Sequence, residues 1–326
     1  MRAGLSVAVV VALGMGSVAL GQGGSGRLNP VIELLEQKKP VFGLYAPSNR
    51  RFGPPGAAAA PAAEKSPAEL AKEALAYGKS DFVFDGSMEG DFDRGYASFS
   101  AFVKGAGQIG LFTKTPAHRL HHPLIVKAPE IAPDPAKAAA QIGQQLNLGV
   151  SGVMFVSVES AEEVKAGLAG MRFRSKGGTR GDDVGMAPSV WGLSEAEYKA
   201  KADLWPLNPQ GELINWTIVE SKAGLAKVRE IAAVKGIGVL WPGAGTLRQV
   251  FSTTDVSGQR KVDEAAWEAA IQQVLAACKE FNVACGYPAS AGDIEMRMKQ
   301  GFSVFVMGWG DAGFKAVDVG RQAAGR

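Results

Sequence analysis

Trp216-Thr217-Ile218-Val219-Glu220 is a buried-strand pattern that closes on a carboxylate. Val239-Leu240-Trp241-Pro242 is a second such run, and it opens into Gly243-Ala244-Gly245-Thr246. Both are continuously apolar rather than alternating, as strands covered on both faces must be. Polar groups that finish successive parallel strands are how a (β/α)8 barrel assembles a site.

Outward from this pair the rhythm repeats. Val41 to Tyr45, Phe82 to Phe84 ending at Asp85, Leu124 to Val126 ending at Lys127, and Gly152 to Val158 read as strands upstream. Val283 to Gly286 and Ser303 to Met307 read as strands downstream. Helices are expected over Pro30–Gln37 behind an Asn29 cap, and from Ser66 to about Tyr77 behind a capping box closed by Glu69. Further helices are expected over Pro135–Leu146, Ala161–Ala169, Gly224–Ala233, within Val262–Phe281 and over Gly292–Lys299. Strands alternating with helices at this length favour a closed α/β barrel, a TIM barrel, over an open sheet. Residues 30–326 therefore read as one barrel domain. Two connections are long, at about 49–67, with an Ala/Pro-rich run, and at 173–211. The second is expected on the carboxyl-end side, where it would cover the site.

The chain has 326 residues, 46% of them hydrophobic, and a formal net charge of +3. That supports one large core. No basic stripe interleaved with aromatics appears, so nucleic acid is not an expected partner. Arg2 followed by the apolar Leu5 to Leu13 and a small-residue Ala19-Leu20-Gly21 reads as a signal peptide over 1–21, with 22–29 a flexible lead-in. Export to the periplasm or the exterior follows, with no stable membrane span after cleavage. The two cysteines, Cys278 and Cys285, fall on a helix end and the next strand. A disulfide and a pair of reduced buried thiols both stand as readings.

Order and spacing across nearly the whole mature chain resemble the HpcH/HpaI aldolase/citrate lyase family. The residues that carry the likeness are Phe82-Val83-Phe84-Asp85 with Met88-Glu89-Gly90, and Pro123 to Pro129. Leu146 to Gly152 with Val158-Glu159-Ser160-Ala161-Glu162-Glu163 and Arg172-Phe173 with Gly178-Thr179-Arg180-Gly181 add to it. So do Val219-Glu220-Ser221 and Ile231 to Gly238. The resemblance implies a (β/α)8 barrel that breaks or makes a carbon–carbon bond next to a pyruvate-type 2-oxo acid. It also implies a divalent metal (Mg, Mn or Co) that stabilises the enolate, a 2-oxo or hydroxy-oxo acid as partner, and a homo-oligomer built by exchanging carboxyl-terminal helices. On that likeness Glu220 is the metal ligand and Lys127 stabilises the oxyanion. Asp85 or Glu89 replaces the acid/base, and Gly243, Ala244, Gly245 and Thr246 bind a substrate carboxylate through backbone N–H groups.

The departures fall on the chemistry. The family's His is Gly90 or Met88 here, its Arg is Lys127, and its second carboxylate is Gly245 or Thr246. Asp134 stands where an Asp would support that His. His118, His121 and His122 precede the Lys127 strand and are expected in a surface loop on the amino-terminal face. Two other functions stay open. One is a catalytically degenerate barrel that binds a ligand or partner. The other is a carbohydrate-active barrel with paired carboxylates among Asp85, Glu89 and Glu220, and sugar stacking on Trp191, Trp205, Trp216 or Trp241.

Overall fold

The computed structural model describes residues 26–49, 64–110 and 119–326. The proposed signal peptide, residues 22–25 of the lead-in, residues 50–63 of the first long connection and His118 lie outside the described residues.

Eight parallel strands form the barrel: β1 (Val41–Tyr45), β2 (Phe82–Asp85), β3 (Leu124–Lys127), β4 (Gly152–Phe155), β5 (Leu213–Val219), β6 (Ile237–Pro242), β7 (Ala284–Tyr287) and β8 (Val304–Met307). They pair in sequence order, and Val41 opposite Val304 joins the last strand to the first. Every strand named from the sequence is present. The closed ring leaves no open edge among these eight, which removes the aggregation liability of an unpaired strand.

Alternation divides the strand residues into two layers. One layer fills the barrel: Val41, Phe82, Phe84, Ile125, Met154, Ile214, Trp216, Ile218, Val239, Trp241, Val304 and Val306. The other packs outward against the helices and includes Phe42, Val83, Val126, Val153, Phe155, Leu240 and Phe305. Inside, Phe84 stacks on Trp216 with centroids 6.0 Å apart, and Trp216 stacks on Trp241 at 5.5 Å. Gly286 of β7 lies under Trp241, so that a Cβ there would coincide with the indole ring. Helix α1 (Pro30–Glu36), capped by Asn29, presents Val31 and Ile32 to the interior layer. Glu212, just before β5, accepts from the backbone N–H groups of Leu28 and Asn29 at 3.2 and 2.9 Å. Together they close the amino-terminal end.

The outer helices are α2 (Pro67–Ala76), α3 (Phe92–Gln108), α4 (Pro135–Asn147) and α5 (Ala161–Met171), then α6 (Ala187–Trp191) and α7 (Glu195–Lys201) within the second long connection. After β5 come α8 (Lys222–Ala226) and α9 (Val228–Ala232), a break at Lys227 in what the sequence presents as one helix. Then follow α10 (Ala244–Val250), α11 (Glu264–Glu280), α12 (Ile294–Gln300) and α13 (Asp311–Ala323). Ser66 closes its capping box with Glu69 as expected, and Asp134 caps α4 through the Lys137 N–H at 3.0 Å. Asp134 is thus a cap here, with no histidine to support. Helix α13 packs on β1 and β8 of its own barrel, and Arg326 binds Asp81 and the Pro40 carbonyl.

The connection 173–211 is placed differently from expectation. Helix α5 returns the chain to the amino-terminal end, so everything between it and β5 belongs to that face. Trp191 donates to the Gly149 carbonyl at 2.8 Å, just ahead of β4. Arg180 is buried over the Phe173 ring and bonds Asn147 at the end of α4. This segment braces the bottom of the barrel and does not cover its mouth.

Cys278 and Cys285 form a disulfide, with Cα atoms 5.7 Å apart, linking α11 to β7. The bridge settles the two readings left open by spacing. A short loop of this kind is worth about 2 kcal/mol in the chain-entropy view. Reduction, or the Cys278→Ala/Cys285→Ala pair, is expected to lower the urea-unfolding free energy by about that amount. An unchanged midpoint in dithiothreitol counts against it.

His122 also departs from expectation. It is on the amino-terminal side but buried, not in a surface loop. Burial first, and His121 second, push its pKa down to about 4 from an ordinary 6.5. The unfolded chain therefore takes up a proton below pH 6.5 that the folded chain refuses. Stability is full above that value and falls as pH drops toward 4. The loss amounts to about 2–3 kcal/mol. His122→Gln is expected to flatten this slope, as read from urea midpoints at neutral and mildly acidic pH.

Candidate active site

The carboxyl ends of the strands form one rim, and the alternation that buries Ile125 and Ile218 turns Lys127 and Glu220 to the same inner side. Tyr45, next on the inner face of β1 after Val41 and Gly43, packs edge-on against Phe84 at 4.9 Å. Gly86 lies between Tyr45 and Lys127. A Cβ on it would sit 3.5 Å from Lys127 Cδ and 3.5 Å from Tyr45 Cε1. At this level of β2 the absent side chain leaves space beside the lysine.

Lys127 Nζ donates to Glu89 Oε2 at 2.7 Å. Glu89 is carried by the turn after β2, and that turn is held firmly. Met88 is fully buried, and Gln145 of α4 donates to both the Met88 sulfur and the Lys127 carbonyl, at 3.4 and 2.8 Å. Asp85 accepts from the Ser87 N–H at 2.9 Å and from its hydroxyl at 2.5 Å. It shapes the turn that presents Glu89, and strand alternation faces it away from the interior layer. Burial, then Glu89, then Asp85 push the Tyr45 phenol up to about 12. The phenol therefore stays protonated at neutral pH, with its O–H available to donate.

Glu220 is buried at the end of β5. Its Oε1 accepts from the Ser157 backbone N–H at 3.0 Å. Ser157 has φ 51°, a left-handed backbone that a serine adopts at a cost. Gly243 makes room on the other side, since a Cβ there would sit 2.6 Å from Glu220 Oε2. Gly243 therefore serves Glu220 rather than a substrate, and its own N–H donates to the Val219 carbonyl. Ala244, Gly245 and Thr246 form the first turn of α10, so the backbone N–H groups named for a substrate carboxylate belong to a helix start, where they have no intrahelical acceptor. Gly245 and Thr246 are exposed, whereas Ala244 is buried and its carbonyl accepts from Trp267.

A divalent cation does not fit this donor set. Glu220 is one carboxylate with one oxygen already committed, Glu89 is bound to Lys127, and the second ligand position holds Gly245 and Thr246. Among the described residues no three His, Cys, Asp or Glu side chains cluster to hold a metal. A hard cation takes six or more oxygens and usually several carboxylates. The expectation of Glu220 as a metal ligand thus lacks its partners. The tryptophans named for sugar stacking are built into the protein instead: Trp191 at the amino-terminal face, Trp205 against the interior layer, Trp216 and Trp241 in the interior stack.

Two rim features went unread in the sequence. Tyr45 was legible, since counting by twos from Val41 turns it inward. Ser157 was not, because its role depends on a backbone angle.

A search of curated proteins returned no match. Solved structures do match. A HpcH/HpaI aldolase/citrate lyase family protein from Burkholderia cenocepacia J2315 is 19% identical with a TM-score of 0.63, covering 90% of this chain and 97% of that one. The HpcH/HpaI aldolase from Desulfitobacterium hafniense DCB-2 is 16% identical with a TM-score of 0.59, covering 85% and 90%. Macrophomate synthase is 18% identical with a TM-score of 0.57, covering 92% and 89%. At these identities the likeness is one of fold. The family model for HpcH/HpaI aldolase/citrate lyase matches residues 110–308, from the end of α3 through β8. That match spans more than half of the sequence and includes Lys127 and Glu220, and by it the chain belongs to the HpcH/HpaI aldolase/citrate lyase family.

Proposed function

We propose that this protein is a carbon–carbon lyase of aldolase type acting on a small 2-oxo acid in an exported, oxidising compartment. The observation that carries the reading is the Lys127–Glu89 pair at the barrel rim, 2.7 Å apart and beside the Tyr45 phenol. Lysine supplies positive charge where the substrate carbonyl develops negative charge. Glu89 is the acid/base, and Asp85 acts through the turn that carries it. Tyr45 donates to a substrate oxygen. Glu220, fixed by Ser157 and Gly243, limits where an anionic substrate can lie.

The family's aldolase and lyase chemistry supports this reading. The disulfide supports export, since such bridges persist in oxidising compartments. Among the described residues no helix is long and apolar enough to cross a membrane. A homo-oligomer belongs to the same proposal and is read by light scattering; α13 docks on its own barrel and is not poised for exchange.

The test is proton exchange at the methyl group of pyruvate in D2O, followed by NMR. Exchange above the blank is expected, and periplasmic or extracellular fractions should hold the protein. A second reading, a degenerate barrel that only binds, is favoured by one observation: Met88 is fully buried and Gly90 has no side chain where the family has its histidine. Stabilisation by pyruvate without exchange would select it.

A further inference from the structure

Among the described residues the rim contains a nucleophile and a base but lacks the donors for a cation. A carbanion next to a ketone needs an electron sink, and the two common ones are a metal-bound oxygen and a protonated imine. Of the two, the described rim residues supply the second. Resting on the aldolase reading, we propose that Lys127 forms a covalent imine with the 2-oxo acid and that Glu89 moves the protons.

Lys127 suits this. Its side chain is mostly buried, at 16% exposed, while Glu89 at 37% reaches the solvent side of the pair. The amine is therefore held at the inner rim while its partner can exchange protons with water. Beside the stem stands Gly86, where a Cβ would touch both Lys127 Cδ and Tyr45 Cε1 at 3.5 Å, so the glycine leaves that position unfilled. Tyr45 borders the same space.

The Lys127 ammonium gives a proton to the Glu89 carboxylate. The free amine adds its lone pair to C2 of the 2-oxo acid, the carbonyl π electrons pass to oxygen, and a proton moves from nitrogen to that oxygen. Glu89 returns its proton to the hydroxyl, which leaves as water as the C=N bond forms. The Glu89 carboxylate then takes a proton from C3, the C–H electrons move into a C2=C3 bond, and the π pair settles on nitrogen as an enamine. That enamine can attack a carbonyl, or the reverse flow can cleave the C3–C4 bond of an aldol. Water adds to the imine and releases the product and the amine.

The experiment uses the whole mature chain, pyruvate and sodium cyanoborohydride, with intact-mass and peptide mass spectrometry. One reduced pyruvyl adduct is expected, on the peptide carrying Lys127. Methyl-proton exchange should persist after EDTA treatment. Lys127→Arg keeps the charge and the bond to Glu89 but cannot form the imine; it is expected to lose the adduct and about 100-fold or more of the exchange, with an unchanged circular dichroism spectrum. Exchange without an adduct, or exchange that depends on added Mg or Mn, overturns the imine and leaves the aldolase reading intact. An equal adduct on Lys127→Arg also overturns it. A folded protein that shows neither adduct nor exchange overturns both.

Discussion

Glu89→Gln is expected to lower turnover by about 10²–10⁴-fold while leaving KM and stability nearly unchanged. The size follows from the loss of a positioned proton carrier, and the selectivity follows from exposure. Glu89 is more than a third open to solvent. An ion pair so exposed contributes at most about 1 kcal/mol to folding. Glutamine can still accept from Lys127 Nζ through its carbonyl oxygen, so the lysine stays where it is. What glutamine cannot do is take the proton. Pre-steady-state and steady-state kinetics of pyruvate exchange check this, and a tenfold rise in KM with unchanged kcat would show that Glu89 only binds.

Gly286→Ala is expected to be the most damaging small change in the barrel, destabilising it by about 3 kcal/mol or more. The added methyl would fall on the Trp241 ring. That ring cannot tilt away, because it stacks on Trp216, which in turn stacks on Phe84. The strain therefore passes to three strands, and the melting temperature should drop by about 5 °C or more. Calorimetry reads the loss. Trp241→Leu in the same background should recover part of it, since neighbours in contact are not additive. Losses that simply add would show that the indole is not what the methyl meets.

The strands were legible because strands covered on both sides are mostly apolar: Val304 to Met307 is apolar throughout, and in β5 the buried Asn215 and Thr217 hydrogen-bond each other. The rim residues were legible for the same reason, since the first polar group after such a run must sit at its end. Helix α3 was not legible. Its Gly95, Gly105 and Gly107 lower local helix propensity, yet two of them are contact points. A Cβ on Gly95 would meet the Ser87 and Met88 backbone, and one on Gly105 the backbone of Pro67 and Ala68. Glycine there is demanded by tertiary approach, which no local pattern encodes. The hairpin Ser252–Thr254 with Arg260–Val262 was missed because it buries almost nothing and shows no alternation. The position of 173–211 was misread because each helix between strands reverses the chain, and length alone does not say which end a loop occupies. The missing metal ligands were visible as substitutions. What remained hidden was that Gly243 is small so that Glu220 can be held.

Helix α1, laid across the lower end with Val31 and Ile32 turned inside, plugs a cylinder whose interior is already filled by side chains, so only the upper rim is open. Substrate, product and proton-carrying water must all use the strand-end side. On the aldolase reading, two reactants would have to enter and leave by the same rim rather than from opposite ends.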